Sequence, residues 1–377
     1  MPNRLQQLHA AGQSVWLDFI DRRILHDGSL ERRIADDALT GMTSNPTIFE
    51  KALSEGDEYD ASLHAAKHGL TPWQLFETVE VEDVKRACEI FRPVYDATGG
   101  KDGYVSIEVS PGVSNDPDAT IEEGRRLWEH VGHPNVMIKV PGTESGARAV
   151  RSLLAEGVNV NVTLLFSLDA YRRVIDAYLD ALEERVAGGQ PVDHIGGVAS
   201  FFVSRVDTEV DKRLDALAPT LPDDRRPHAL ALRGKAAIAN AKLAYKLFQE
   251  KFSGPRWEAL AAKGAAVQRP LWASTGTKNP AYRDVLYVEQ LIGPNTVNTL
   301  PPATIDAFRD HGETAVTVDK GVDQAERVIA DLAALGIDIN NVTDKLLTEG
   351  IASFQKSFDG LLANVEKRMG AVAAAAS

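Results

Sequence analysis

Short apolar runs alternate with amphipathic stretches along most of the chain. Eight such runs recur, at 15–18, 39–44, 103–109, 136–140, 158–164, 197–203, 270–274 and 296–300. A strand buried on both faces of a parallel sheet reads as continuous apolar residues. The stretches between the runs follow a helical period instead; in 168–186, Val174, Tyr178 and Leu182 fall on one face. Helical patterns also occupy 72–95, 121–128, 145–154 and 229–252, and two more, 323–335 and 343–369, follow the last run. Strand followed by helix, eight times over, predicts a (β/α)8 barrel of the TIM type. An open doubly wound sheet is the alternative, but no Gly-rich dinucleotide or phosphate loop follows any run.

The spacing between runs is uneven. Helical insertions are predicted near 50–100 and 207–268, the second opening with a proline-marked polar segment at 217–227. Neither has the apolar content for its own core, so the expectation is one barrel domain over 1–369, with closing helices and a frayed tail at 370–377.

Composition narrows the function classes. The 377 residues carry a net charge of -13, with 44% hydrophobic and 25% charged residues. That balance argues against nucleic acid or an anionic membrane surface as a partner, since both need a basic face. A single cysteine, Cys88, excludes an intramolecular disulfide and a Cys-rich metal site. No apolar stretch approaches the roughly 20 residues of a membrane span. The first residues lack the apolar core of a signal peptide, so the expectation is a cytoplasmic protein.

Polar residues unsuited to a core collect where barrel strands end, which is where barrels of this type build active sites. Lys139 closes the fourth run. A cation there is costly unless it is paired or used; burial disfavours the ammonium, and a neutral amine attacks a carbonyl to form a Schiff base. The alternative is a lysine stem that snorkels out to a salt bridge. Glu108 lies between Ile107 and Val109 and must be paired or functional. Asp18 ends the first run and is either an acid/base or a helix cap. Thr43 and Asn45 end the second, Asn45 also reading as a turn residue before Pro46. Asn161 and Thr163, two apart, share one face of the fifth strand. Ser200 and Arg205 stand at the sixth, Ser274 at the seventh. The set offers an amine nucleophile, two carboxylates for proton transfer, and amides and hydroxyls for a polyol.

Three blocks carry a resemblance. Thr43-Ser44-Asn45-Pro46-Thr47-Ile48, Asn135-Val136-Met137-Ile138-Lys139-Val140-Pro141 and Val160-Asn161-Val162-Thr163-Leu164-Leu165-Phe166-Ser167 resemble signatures of the transaldolase family. That resemblance implies a class I aldolase barrel that needs no cofactor, because the iminium is the electron sink. It implies Lys139 as the imine-forming residue, Glu108 and Thr163 acting through a water, and Asp18 as acid/base at the C4 hydroxyl. Asn45, Asn161 and Ser200 would hold the dihydroxyacetone portion and Arg205 the substrate phosphate. Where the short form of the family has Ser-Phe-Arg, this chain has Ser274-Thr275-Gly276-Thr277-Lys278. Ser274 aligns, and Lys278 stands in for the missing Arg, as in a longer bacterial subgroup. The implied partners are sugar phosphates, with the chain a monomer or homodimer. A fructose 6-phosphate aldolase is the nearest rival, which carries an amide where this chain has Glu108. A non-catalytic barrel would leave Lys139, Glu108 and Asp18 idle.

Overall fold

The computed structural model describes residues 2–55, 58–59 and 70–375. Eight parallel strands close into a barrel in chain order: β1 (Gln13–Asp18), β2 (Leu39–Thr43), β3 (Tyr104–Glu108), β4 (Val136–Pro141), β5 (Val160–Leu165), β6 (Gly197–Phe202), β7 (Arg269–Ala273) and β8 (Thr296–Leu300). β8 pairs with β1 through Val15 opposite Asn298 and Leu17 opposite Leu300, which removes both sheet edges. All eight predicted runs are strands, and the closed order rules out the open sheet.

Helices between the strands begin and end where the chain supplies caps. Thr143, two residues past the end of β4, accepts from Gly146 N at 2.8 Å, starting Glu144–Glu156, which stops at Gly157 in a left-handed conformation. Ser167 does the same after β5, accepting from Ala170 N at 3.1 Å to start Leu168–Ala187. Both strands therefore pass into their helices within a few residues, and the loops above the barrel stay short there.

Most described residues of the predicted insertions are helical. Pro46–Glu55 and Pro72–Ala97 fill the first, and part of it lies outside the described residues. In the second, Ser204–Leu217, Arg226–Leu230, Ala236–Lys251 and Gly254–Ala261 follow one another. The helix predicted from 229 begins only at Ala236, because Gly234 takes a left-handed φ of 68° and ends the preceding turns. Ala236–Lys251 packs on Leu168–Ala187 and on Val322–Ala334. Its Tyr245 and Phe248 belong to the same buried apolar cluster as the barrel residues Val160 and Leu271. The closing helix Ile339–Ala375 crosses back to pack on Pro46–Glu55 and Pro72–Ala97. It stays helical to Ala375, through most of the tail for which the sequence predicts fraying, since Ala has the strongest helix propensity. No helix among the described residues is long and apolar enough to cross a membrane.

Candidate active site

Three neighbouring strands bring the charged core of the site to one level. Glu108 on β3 lies in register with Lys139 on β4, and Lys139 with Asn161 on β5. Register partners in a parallel sheet point to the same face, so residues up to 53 positions apart in sequence meet there. Lys139 Nζ donates to Glu108 Oε2 at 2.9 Å and to the Ser44 carbonyl oxygen at 2.8 Å. Both residues are only 6% exposed. The pair satisfies the salt-bridge reading of Lys139, but the bridge points into the barrel and not out to solvent.

A cavity of about 340 Å³ opens above this pair at the C-terminal mouth of the barrel. Asp18, Thr43, Asn45, Lys139, Thr163, Ser200, Arg205, Ser274 and Lys278 all contribute to its wall. Two residues of the predicted set do not. Glu108 stands behind Lys139. Asn161 is bound between two hydroxyls, its Nδ2 donating to Ser106 Oγ at 3.0 Å and its Oδ1 accepting from Ser200 Oγ at 2.7 Å. Asn161 therefore orients Ser200.

The alternatives left open for individual residues resolve differently. Asp18 caps no helix: the cap of Arg22–His26 is Asp21, which accepts from Ile24 N at 2.8 Å. Asn45 is both a turn residue and part of the wall, its Oδ1 accepting from Ile48 N at 3.0 Å. The Thr163 hydroxyl has no hydrogen-bond partner among the described residues and faces the cavity. Ser274 sits at a left-handed φ of 57°, and its Oγ lies 2.9 Å from Ser204 Oγ. Leu164, just after Thr163, is likewise left-handed at 58°, where the β5–β6 register slips. Strained non-glycine residues of this kind persist where the surrounding structure over-determines them.

Electrostatics follow from placement. Burial raises the Glu108 carboxyl above its ordinary range, while the charge and hydrogen bond of Lys139 pull it back. Burial also raises Asp18, against the charges of Lys139, Lys278 and Arg205. Asp18 borders the cavity, so water reaches it, yet protein on its other sides remains the larger influence. Desolvation lowers the Arg205 guanidinium, which lies over the Phe202 ring with 5.1 Å from Cζ to the ring centroid.

Several wall residues have no signal in the chain pattern. Phe354 comes from the closing helix, and Lys51 from the helix after β2. Thr299, on β8, had one available signal: it is a polar residue near a strand end. The Ser44 carbonyl, a backbone group, had none. A larger cavity of about 640 Å³ lies at the opposite mouth. Two of its charged groups are tied together, Arg269 to Asp102, Ser14 and the Thr296 carbonyl, and Asp102 also to Trp16. The N-terminal face of a barrel serves stability more than chemistry.

The model of one family, described as Transaldolase/Fructose-6-phosphate aldolase, matches residues 15–365. The chain belongs to that family. It is 48% identical over 373 residues to a protein named Transaldolase from Thermobifida fusca, covering 98% of this chain and 100% of the relative. It is 47% identical to Transaldolase 2 of a Nostoc strain, over 97% of this chain and 98% of the relative. A Frankia alni protein named Transaldolase is 46% identical over 372 residues, with 98% of each chain covered. The family match contains every strand residue from Val15 onward and every residue of the cavity wall. Among the described residues no group of His, Cys, Asp and Glu is arranged to hold a metal.

Proposed function

We propose that the chain transfers a dihydroxyacetone unit from sedoheptulose 7-phosphate or fructose 6-phosphate to glyceraldehyde 3-phosphate or erythrose 4-phosphate, through a Schiff base on Lys139. The observation that carries this reading is the Lys139 amine, buried on Glu108 at 2.9 Å, at the foot of a polar cavity. The relatives' common name supports transfer over simple aldol cleavage, as does a carboxylate, not an amide, at position 108.

The chemistry follows from the groups present. Lys139 gives up a proton, with Glu108 as the adjacent acceptor, and its amine attacks C2 of the ketose. The resulting carbinolamine loses water as Glu108 returns a proton, with the free hydroxyl of Thr163 positioned to hold that water. Asp18, its basicity raised by burial, takes the proton from the C4 hydroxyl. The C3–C4 bond breaks, its electron pair flows into the iminium, and the aldose phosphate leaves. The enamine that remains adds to the carbonyl carbon of the acceptor. Hydrolysis then frees Lys139. Asn45 and Ser200, the latter oriented by Asn161, would hold the three-carbon unit. Arg205, Ser274 and Lys278 would hold the phosphate, Lys278 as a point charge where an Arg grips in a fork.

We also read the chain as a cytoplasmic enzyme, monomeric or homodimeric, with one barrel domain over 1–369. Borohydride reduction in the presence of fructose 6-phosphate tests the mechanism. The expected product is a three-carbon adduct on the Lys139 peptide, absent from Lys139→Ala; an unmodified but folded protein would end the imine reading.

A further inference from the structure

Two carboxylates one turn apart on Ser204–Leu217 take no part in this chemistry. Asp207 and Asp211 are 1% and 8% exposed. Each accepts one backbone N–H and one tyrosine hydroxyl. Asp207 accepts from Ala237 N at 2.8 Å and from Tyr287 Oη at 2.9 Å. Asp211 accepts from Gly234 N at 3.0 Å and from Tyr282 Oη at 2.5 Å. Both tyrosines lie on the segment that leaves β7, and both backbone donors lie at the entry to Ala236–Lys251. The two acids therefore fasten two stretches of chain to the helix that bears Arg205.

Lys278 stands on the fastened segment, four residues before Tyr282. The turn between them is closed locally: Asn279 Oδ1 accepts from Ala281 N at 3.0 Å, and the Asn279 carbonyl accepts from Tyr282 N at 3.0 Å. Lys278 itself makes no hydrogen bond or ion pair among the described residues. It borders two cavities. One is the active-site cavity; the other, also about 340 Å³, is lined by Asp207, Asp211, Asp215, Tyr282 and Tyr287. A compact charge on a flexible four-carbon stem can reach either. Where its backbone is held, and how far the acids behind it are already satisfied, decides which.

We propose that the Asp211–Tyr282 hydrogen bond, backed by Asp207–Tyr287, positions Lys278 at the phosphate end of the active-site cavity. This rests on the reading of Lys278 as a phosphate ligand. Asp211 and Tyr282 are then positioning residues, acting on substrate only through Lys278. Loss of the Tyr282 hydroxyl frees one oxygen of Asp211, which attracts the ammonium into the second cavity, and the segment loses its tether.

A double-mutant cycle with Tyr282→Phe and Lys278→Met tests this, reading KM and kcat for fructose 6-phosphate and the inhibition constant of inorganic phosphate. Tyr282→Phe alone should raise KM and the inhibition constant about two- to tenfold, the range of one hydrogen bond, with kcat within about twofold. In the Lys278→Met background it should change neither constant further. An equal rise in both backgrounds, or no rise in the wild-type background, overturns the positioning role. If Lys278→Met alone leaves both constants unchanged, the phosphate reading fails first, whatever Tyr282→Phe does. Should Tyr282→Phe fold poorly by circular dichroism, Asp211→Asn is read in the same cycle. It removes the attracting charge and weakens the tether, so a smaller rise in both constants, confined to the Lys278 background, is expected. No rise, or an equal rise in both backgrounds, overturns the positioning role.

Discussion

At the scale of single residues the site is a problem of charge placement. An unpaired ion in a barrel core costs several kcal/mol; Lys139 and Glu108 offset this by hydrogen-bonding each other, with the Ser44 carbonyl as a third member. Asp18 has no such partner and depends on the fields of Lys139, Lys278 and Arg205. Removing one of those cations destabilises its carboxylate and raises its pKa, so the base form appears only at higher pH. Lys278→Met should therefore move the acid limb of the kcat/KM profile to higher pH. A limb that stays in place would put Lys278 outside the field of Asp18.

At the scale of elements the closing helix is what completes the cavity. Its Phe354 is a wall residue, Ser357 Oγ accepts from Thr47 Oγ1 at 2.9 Å, and Phe358 packs edge-on against Trp73 and Phe76 at 5.1 and 6.4 Å. Gly350 lets the helix close on β5: a Cβ there would stand 3.1 Å from Leu164 Cδ2, on the strained residue beside Thr163. Truncating Phe358 removes the aromatic anchor of this helix. Phe358→Ala should cost about 3–5 kcal/mol in a denaturant titration and raise KM for the ketose phosphate, because the wall shifts with the helix. A lowered stability with unchanged KM would show that the wall holds without that anchor.

For the whole molecule, the two mouths of the barrel divide the work. The C-terminal mouth gathers Lys51, Lys139, Arg205 and Lys278 around one cavity in a chain of net charge -13. A local positive field there can serve an anionic substrate that the chain's overall charge would repel. At the N-terminal mouth Arg269 joins β7 to Ser14 on β1, to the Thr296 carbonyl on β8 and to Asp102 before β3. Arg269→Met leaves Asp102, 4% exposed, without its cation. The expected loss is on the order of 3 kcal/mol in denaturant midpoint analysis, with kcat of the folded enzyme near that of wild type. A large fall in kcat at unchanged stability would place the network in the reaction.

Local pattern was enough for much of this protein. Parallel buried strands must be continuously apolar, so the eight runs, their order and the barrel were legible in the sequence, as were Lys139 and Glu108, which stand out against an apolar background. The helical patterns at 72–95 and 168–186 were legible to within two residues of the helices found, and the unusual Ser274 to Lys278 block from its departure from a known motif. Contacts between distant segments were not legible. Phe354 reaches the cavity only because its helix folds back over β5, more than 180 residues earlier in the chain. Lys51 sits beside Glu50 in an amphipathic helix, where a lysine is ordinary, and the Ser44 carbonyl belongs to the backbone, which composition does not describe. The left-handed turn at Gly234 overrode a helical period because Asp211 holds its N–H. Sequence determined which residues are costly to bury; tertiary structure decided which partner each one met, because that depends on strand register and on helices packed from elsewhere in the chain.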